Sequence, residues 1–307
     1  MPSNYRPPLI LHHYALSPYA EKIRSIFGHT KMEWLSLHSP AQPPRPNLDP
    51  LTGGYRRIPV LQIGGDIFCD TRIIVDEIVE LSQNPALDRE NLSPELLDLQ
   101  RRAEQTVFFA VVNSQSPAKT IATLARLQGP VETFRFLKDR IGVAKTAKIS
   151  MPSRKSSKQI LDAFFHDVDQ RLVGRSFLDG DNPCLADFSV YHPLWMYVSA
   201  GGMKLPNNLR GLNDWMVLME SIGHGNVLQI DKQTAFFEAT AEPRELPDSE
   251  PGAALGKAAR IAPNDYARDH VEGTLVAQTK SRSILRRNTE EFGTLHVHFP
   301  REGYVIE

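Results

Sequence analysis

Cysteine is scarce. The 307 residues hold two, Cys69 and Cys184, far apart in the chain. That excludes a disulfide framework and a zinc-ligand spacing, and it fits a reducing compartment. Excess charge of one sign is also missing: 35 Lys and Arg against 36 Asp and Glu leave a formal net charge of −1. Nucleic acid and anionic membrane are therefore not expected as main partners. No apolar run approaches the ~20 residues that span a bilayer. The opening Met1-Pro2-Ser3-Asn4 lacks a basic-then-apolar signal design, so the cytoplasm is the expected compartment. No internal repeat is visible.

What is present is an ordinary globular mix, 23% charged and 41% hydrophobic, on a chain long enough for two domains and a small third. The most informative stretch is Arg56 to Ile78. Val60, Leu61 and Ile63 run to Gly64-Gly65, and Ile67 and Phe68 follow, which predicts a hairpin. The period then changes. Ile73, Ile74, Ile78 and Leu81 are spaced as on a helix, and Asp70 or Thr71 can cap its first turn. Pro59 opens the strand, where a missing N–H is tolerated, and Ile58-Pro59 is a candidate cis bond.

Upstream, Leu9 to Leu11 predict a strand. Ser17-Pro18 predicts a helix start, and Gly28 its end. Met32 to Leu37 predict a second strand. The Pro- and Gly-rich stretch from His38 to Tyr55 predicts an irregular loop. From Pro94 the spacing is helical for roughly 140 residues. Residues 239–255 have linker composition. The remainder, with Leu295, Val297 and Phe299 alternating with His296 and His298, predicts a small antiparallel sheet or barrel packed on the helical part. A metal site at that His pair lacks further ligands. His12-His13 should point one in and one out, and Cys69 reads as strand core.

Three motifs together resemble the cytosolic glutathione transferase superfamily of the Ser-type. They are Ser17 to Arg24 (S-P-Y-A-E-K-I-R), R-I-P-V-L followed by D-T-R-I-I, and F-L-D-G-D-N-P-C-L-A-D-F. The resemblance covers about residues 8 to 235. It implies an α/β thioredoxin-like N-terminal domain (8–85) and an all-α helical bundle domain (92–238). A small β-rich extension (256–307) falls outside it.

The resemblance implies glutathione as co-substrate, no metal, a homodimer and a detoxification role. Ser17 would donate to the glutathione thiolate at the positive end of a helix. Ile58 and a cis Pro59 would pair with the peptide backbone, and Arg57 would lie against it. Asp70 and Thr71 would hold the γ-glutamyl end. The thiolate would attack a small, partly apolar electrophile between the domains. Tyr14 is a rival thiol activator, and Ser17 has the alternative role of a plain N-cap. Ser rather than Cys at position 17 favours conjugation or isomerisation over thiol exchange. Glutathione-dependent isomerisation or dehalogenation, and a non-catalytic binding or scaffold module, are the alternatives. Cys184 stands where Ser or Thr is usual in the capping box with Asp187.

Overall fold

The computed structural model describes residues 6–148 and 151–307. The first unit runs β1 (Leu9–His13), α1 (Pro18–Thr30), β2 (Glu33–His38), α2 (Asp49–Thr52), β3 (Val60–Ile63), β4 (Asp66–Cys69) and α3 (Thr71–Ser82). β1 pairs parallel with β2 and antiparallel with β3, and β3 pairs antiparallel with β4. This is the expected thioredoxin-like unit. Two boundaries differ from expectation. α1 does not stop at Gly28 but runs on to Thr30. Gly28 serves packing instead: a Cβ there would lie 2.2 Å from the Gly223 carbonyl oxygen. The Pro-rich loop is not wholly irregular, because α2 folds within it and buries Leu51.

The helical unit comprises α4 (Pro94–Arg102), α5 (Phe108–Ser114), α6 (Pro117–Gln128), α7 (Pro130–Thr146), α8 (Arg154–Arg171), α9 (Leu185–Trp195) and α10 (Arg210–Ile222). A π-helical turn, Ala103–Val107, joins α4 to α5. α9 begins as predicted. The Asp187 carboxylate accepts the Cys184 N–H at 2.9 Å, the Leu178 N–H at 3.0 Å and the Trp215 indole N–H at 2.8 Å. A strand absent from the sequence reading follows, β5 (Asn226–Gln229), paired parallel with β2. α11 (Lys232–Ala239) comes next.

The C-terminal strands are β6 (Ala258–Pro263), β7 (Val271–Gln278), β8 (Arg282–Thr289), β9 (Gly293–Pro300) and β10 (Tyr304–Ile306). They do not form a separate sheet against the helices. β9 pairs parallel with β4, so Asp66 faces His296 and Phe68 faces His298. One ten-stranded sheet results, in the order β10-β6-β7-β8-β9-β4-β3-β1-β2-β5. The reason lies in β3 and β4, whose side chains alternate between two cores. Leu61 and Phe68 face the helices, while Val60, Ile67 and Cys69 face a second core with Ile261, Val271, Leu285, Val297 and Phe299. Both faces of β1 are covered as well. His12 and His13 are therefore both buried, bonded to Gln62 and Ser36 at 2.9 Å each.

The seam between β4 and β9 is polar at one point. Asp66, 1% exposed, accepts from His298 Nε2 at 2.8 Å and from the Arg244 N–H at 2.9 Å. Arg244, in the linker, also reaches Glu77 of α3 at 2.7 Å. Asp66→Ala leaves the buried His298 donor and the Arg244 N–H unpaired. It should cost about 3 kcal/mol in urea denaturation.

Burial holds the His12 pKa down to about 4, with the Gln62 bond working the other way; the ordinary value is 6.5. The unfolded chain thus binds more protons between these values. Stability should be complete above about pH 6.5 and fall as pH drops toward 4, by about 3 kcal/mol from this residue. Denaturation at pH 7 and pH 5 should show a shallower loss in His12→Gln.

Candidate active site

The loop from β1 into α1 is held by a buried arginine. Arg24 donates to the Ala15 carbonyl at 3.0 Å and to the Tyr14 carbonyl at 3.4 Å, and it is charge-paired with Glu21 at 2.6 Å. Ser17 follows as N-cap of α1. Its Oγ accepts the Ala20 N–H at 3.2 Å, and the residue is 2% exposed. Capping uses the oxygen lone pair and leaves the hydroxyl hydrogen free to donate.

Facing this helix start is the turn into β3. The Ile58-Pro59 bond is cis, as is Pro43-Pro44. Asp70 caps α3 through Oδ1, which accepts the Arg72 N–H at 3.0 Å. Thr71 stands beside it as the first residue of the helix.

Two cavities meet here. A polar one of about 590 Å³ is lined by Ile58, Pro59, Asp70 and Thr71, together with Lys22 and Glu104. An apolar one of about 920 Å³ is lined by Tyr14, Ser17, Phe108, Ile121, Phe136 and Met196, among others. Five residues border both: Tyr19, Arg57, Ile58, Phe109 and Tyr266. The structure thus brings Ile58, Pro59, Asp70 and Thr71 into one cavity and sets Ser17, with its rival Tyr14, in the wall of the other. Arg57 lies on the boundary.

The C-terminal strands supply much of the polar cavity, which the sequence reading did not foresee. Tyr304 donates to Asp70 Oδ2 at 2.9 Å and shares a hydrogen bond with the Tyr55 hydroxyl at 2.6 Å. Arg57 is ion-paired with Asp265 and donates to the Tyr266 carbonyl at 2.6 Å, with its guanidinium 4.2 Å from the Tyr266 ring centroid. Glu302 pairs with Arg72 at 2.7 Å and with Arg89 at 3.1 Å. No local pattern announces these roles.

The electrostatics follow from burial. Burial pushes the Tyr304 hydroxyl well above its usual pKa, and the neighbouring Asp70 carboxylate adds to it, so Tyr304 stays a donor. Burial alone would raise Glu104, but Lys22 at 2.6 Å overrides it and holds the carboxylate down to about 2. Burial raises Asp76, a carboxylate on the wall of the polar cavity. Among the described residues, no group of three or more His, Cys, Asp or Glu could hold a metal ion, and His296 and His298 both turn to Asp66. No helix among them is long and apolar enough to cross a membrane.

Residues 11–86 match the family model described as glutathione S-transferase, N-terminal domain. Among curated proteins, none matches. Of the solved structures, a GST-like protein from Pseudomonas syringae is 29% identical over 98% of each chain, with a TM-score of 0.77. A glutathione S-transferase from Rhodospirillum rubrum is 18% identical, over 69% of this chain and 88% of its own, with a TM-score of 0.48. One from Methylobacterium radiotolerans, in complex with glutathione sulfonate, is 16% identical over 72% of this chain and 97% of its own, with a TM-score of 0.47.

Ser17→Ala removes the cap of α1. It should lower stability by about 1 kcal/mol in urea denaturation, with Ser17→Gly closer to wild type.

Proposed function

We propose that this chain, which belongs to the glutathione transferase superfamily, binds glutathione in the polar cavity and uses its thiolate on an apolar electrophile held in the adjoining one. The observation that carries this reading is the convergence of Ile58, Pro59, Asp70 and Thr71 on one cavity beside the start of α1. A γ-glutamyl carboxylate suits the positive end of α3, where the Thr71 hydroxyl can donate to it. The peptide's central residue can pair with the Ile58 backbone as a short added strand. That pose carries the sulfur toward the boundary and the Ser17 side.

Glutathione's thiol is mostly protonated at neutral pH. The α1 N-terminus and the Ser17 hydroxyl would favour the anion, and the proton would leave to solvent. The sulfur then forms a bond to an electrophilic carbon, whose leaving group departs with the bonding electrons, or whose conjugated system takes them up. The walls formed by Phe108, Ile121 and Phe136 suit an apolar electrophile. Both cysteines are free and buried, which supports a reducing, cytoplasmic setting and leaves neither as a rival nucleophile. A homodimer belongs to the same reading.

A second reading is a binding module without turnover. The observation in its favour is that Asp70 already has a partner in β10 and Arg57 one in the loop after β6.

Calorimetric titration with glutathione tests the first reading. Wild type should give saturable heat, and Thr71→Ala should weaken binding by about tenfold. Ser17→Ala should leave affinity nearly unchanged and lower turnover of a generic aryl electrophile by about a hundredfold. Absence of heat with wild type removes the glutathione site. Heat without turnover across several electrophiles selects the module, and recovery of free glutathione with a rearranged product selects isomerisation.

A further inference from the structure

Tyr266 lies where the polar and apolar cavities touch. It belongs to the loop between β6 and β7, outside the residues that match the family model. Of the four other residues that border both cavities, two, Arg57 and Phe109, pack on its ring. The Tyr19 hydroxyl, which borders both cavities too, donates to the Glu104 carbonyl at 3.0 Å. The Arg57 guanidinium covers its ring at 4.2 Å, and Phe109 meets it edge-on at 6.0 Å between centroids. The ring is therefore the central panel of the partition.

The loop that carries it is clamped on both sides. The Asp265 carbonyl accepts the Lys148 N–H at 2.8 Å, and Asp269 accepts from Arg56 at 2.7 Å. Ala267 follows at φ 49°, a left-handed conformation that alanine keeps only where its surroundings hold it. The backbone is thus fixed so that the ring faces inward, while rotation about its own side-chain bonds remains the simple way to clear the boundary.

We infer that Tyr266 is a specificity-determining residue of this site: its ring stands between the two reactants as they bind, and it must turn aside for the sulfur to reach the electrophile and for any single molecule that fills both cavities. The inference rests on the glutathione reading above. Glutathione and a free electrophile each occupy one side. The thioether they form occupies both. A ring that returns to the boundary disfavours that product and any inhibitor built like it, and so favours release.

The probe is S-hexylglutathione, the tripeptide with six carbons on its sulfur. Calorimetry compares its affinity with that of glutathione in wild type, Tyr266→Phe and Tyr266→Ala. In wild type the hexyl chain should add little, because it meets the ring. In Tyr266→Ala the ratio should rise by about tenfold or more in favour of S-hexylglutathione. Tyr266→Phe keeps the panel and should keep the wild-type ratio. Tyr266→Val, which removes the ring and keeps a small apolar side chain, replaces the alanine variant if that one does not fold, and should shift the ratio in the same direction. An equal ratio in all variants, or a shift in Tyr266→Phe as large as in Tyr266→Ala, overturns the inference and leaves glutathione binding standing. Failure of wild type to bind glutathione removes both.

Discussion

Asp66 sits where two parts of the chain that are distant in sequence become one sheet. It opens β4, and β9 lies alongside it in parallel. A carboxylate that is 1% exposed needs donors, and it has them: His298 from β9 and the backbone of Arg244 from the linker. A buried charge of this kind contributes less through net attraction than through the penalty of losing a partner. It therefore acts as a register pin. A shift of one residue along β9 would turn His298 to the other face and take from Asp66 its imidazole donor. Val297 and Phe299, which fill the second core, would leave it in the same step.

The candidate site inherits that register. Once β9 is pinned, the loop before β10 brings Glu302 to Arg72 and Arg89, and β10 brings Tyr304 to Asp70. The loop after β6 brings Asp265 and Tyr266 to Arg57. The charged residues expected from the first unit are thus partnered by residues from the last, Asp70 by a neutral hydroxyl and Arg57 by a carboxylate. This changes the electrostatic character of the cavity. Asp70 meets any ligand as a carboxylate already holding a tyrosine hydroxyl, and Arg57 as a fork whose donors are partly spent.

The parts legible in sequence were those governed by local rules. Alternation and Gly64-Gly65 gave the β3–β4 hairpin, and Ser17-Pro18 and Asp70 marked two helix starts through side chains that do cap them. The Cys184–Asp187 box was legible for the same reason. The misses came from tertiary contacts. β5 has four exposed residues and no apolar pattern, and it exists because β2 offers an open edge. Gly28 looked like a helix end because nothing local reveals the Gly223 backbone pressed against it. The C-terminal strands were recognisable as strands. Their destination was not, because the alternation of Leu295, Val297 and Phe299 says that one face is buried without saying against what.

The sheet order places β4 and β9 side by side although Asp66 and His298, which bond across them, are 232 positions apart. A ribosome adding about 5–20 residues per second would take roughly 12–45 s to deliver the later strand after the earlier one. Throughout that interval the outer edge of β4 carries Ile67 and Cys69 with no neighbour on that side, a surface that invites pairing with other nascent chains. The N-terminal unit must therefore wait, folded or held by chaperones, with one flank open. Translation rate and holdase supply, rather than equilibrium stability, would then govern how much of the protein reaches its finished form.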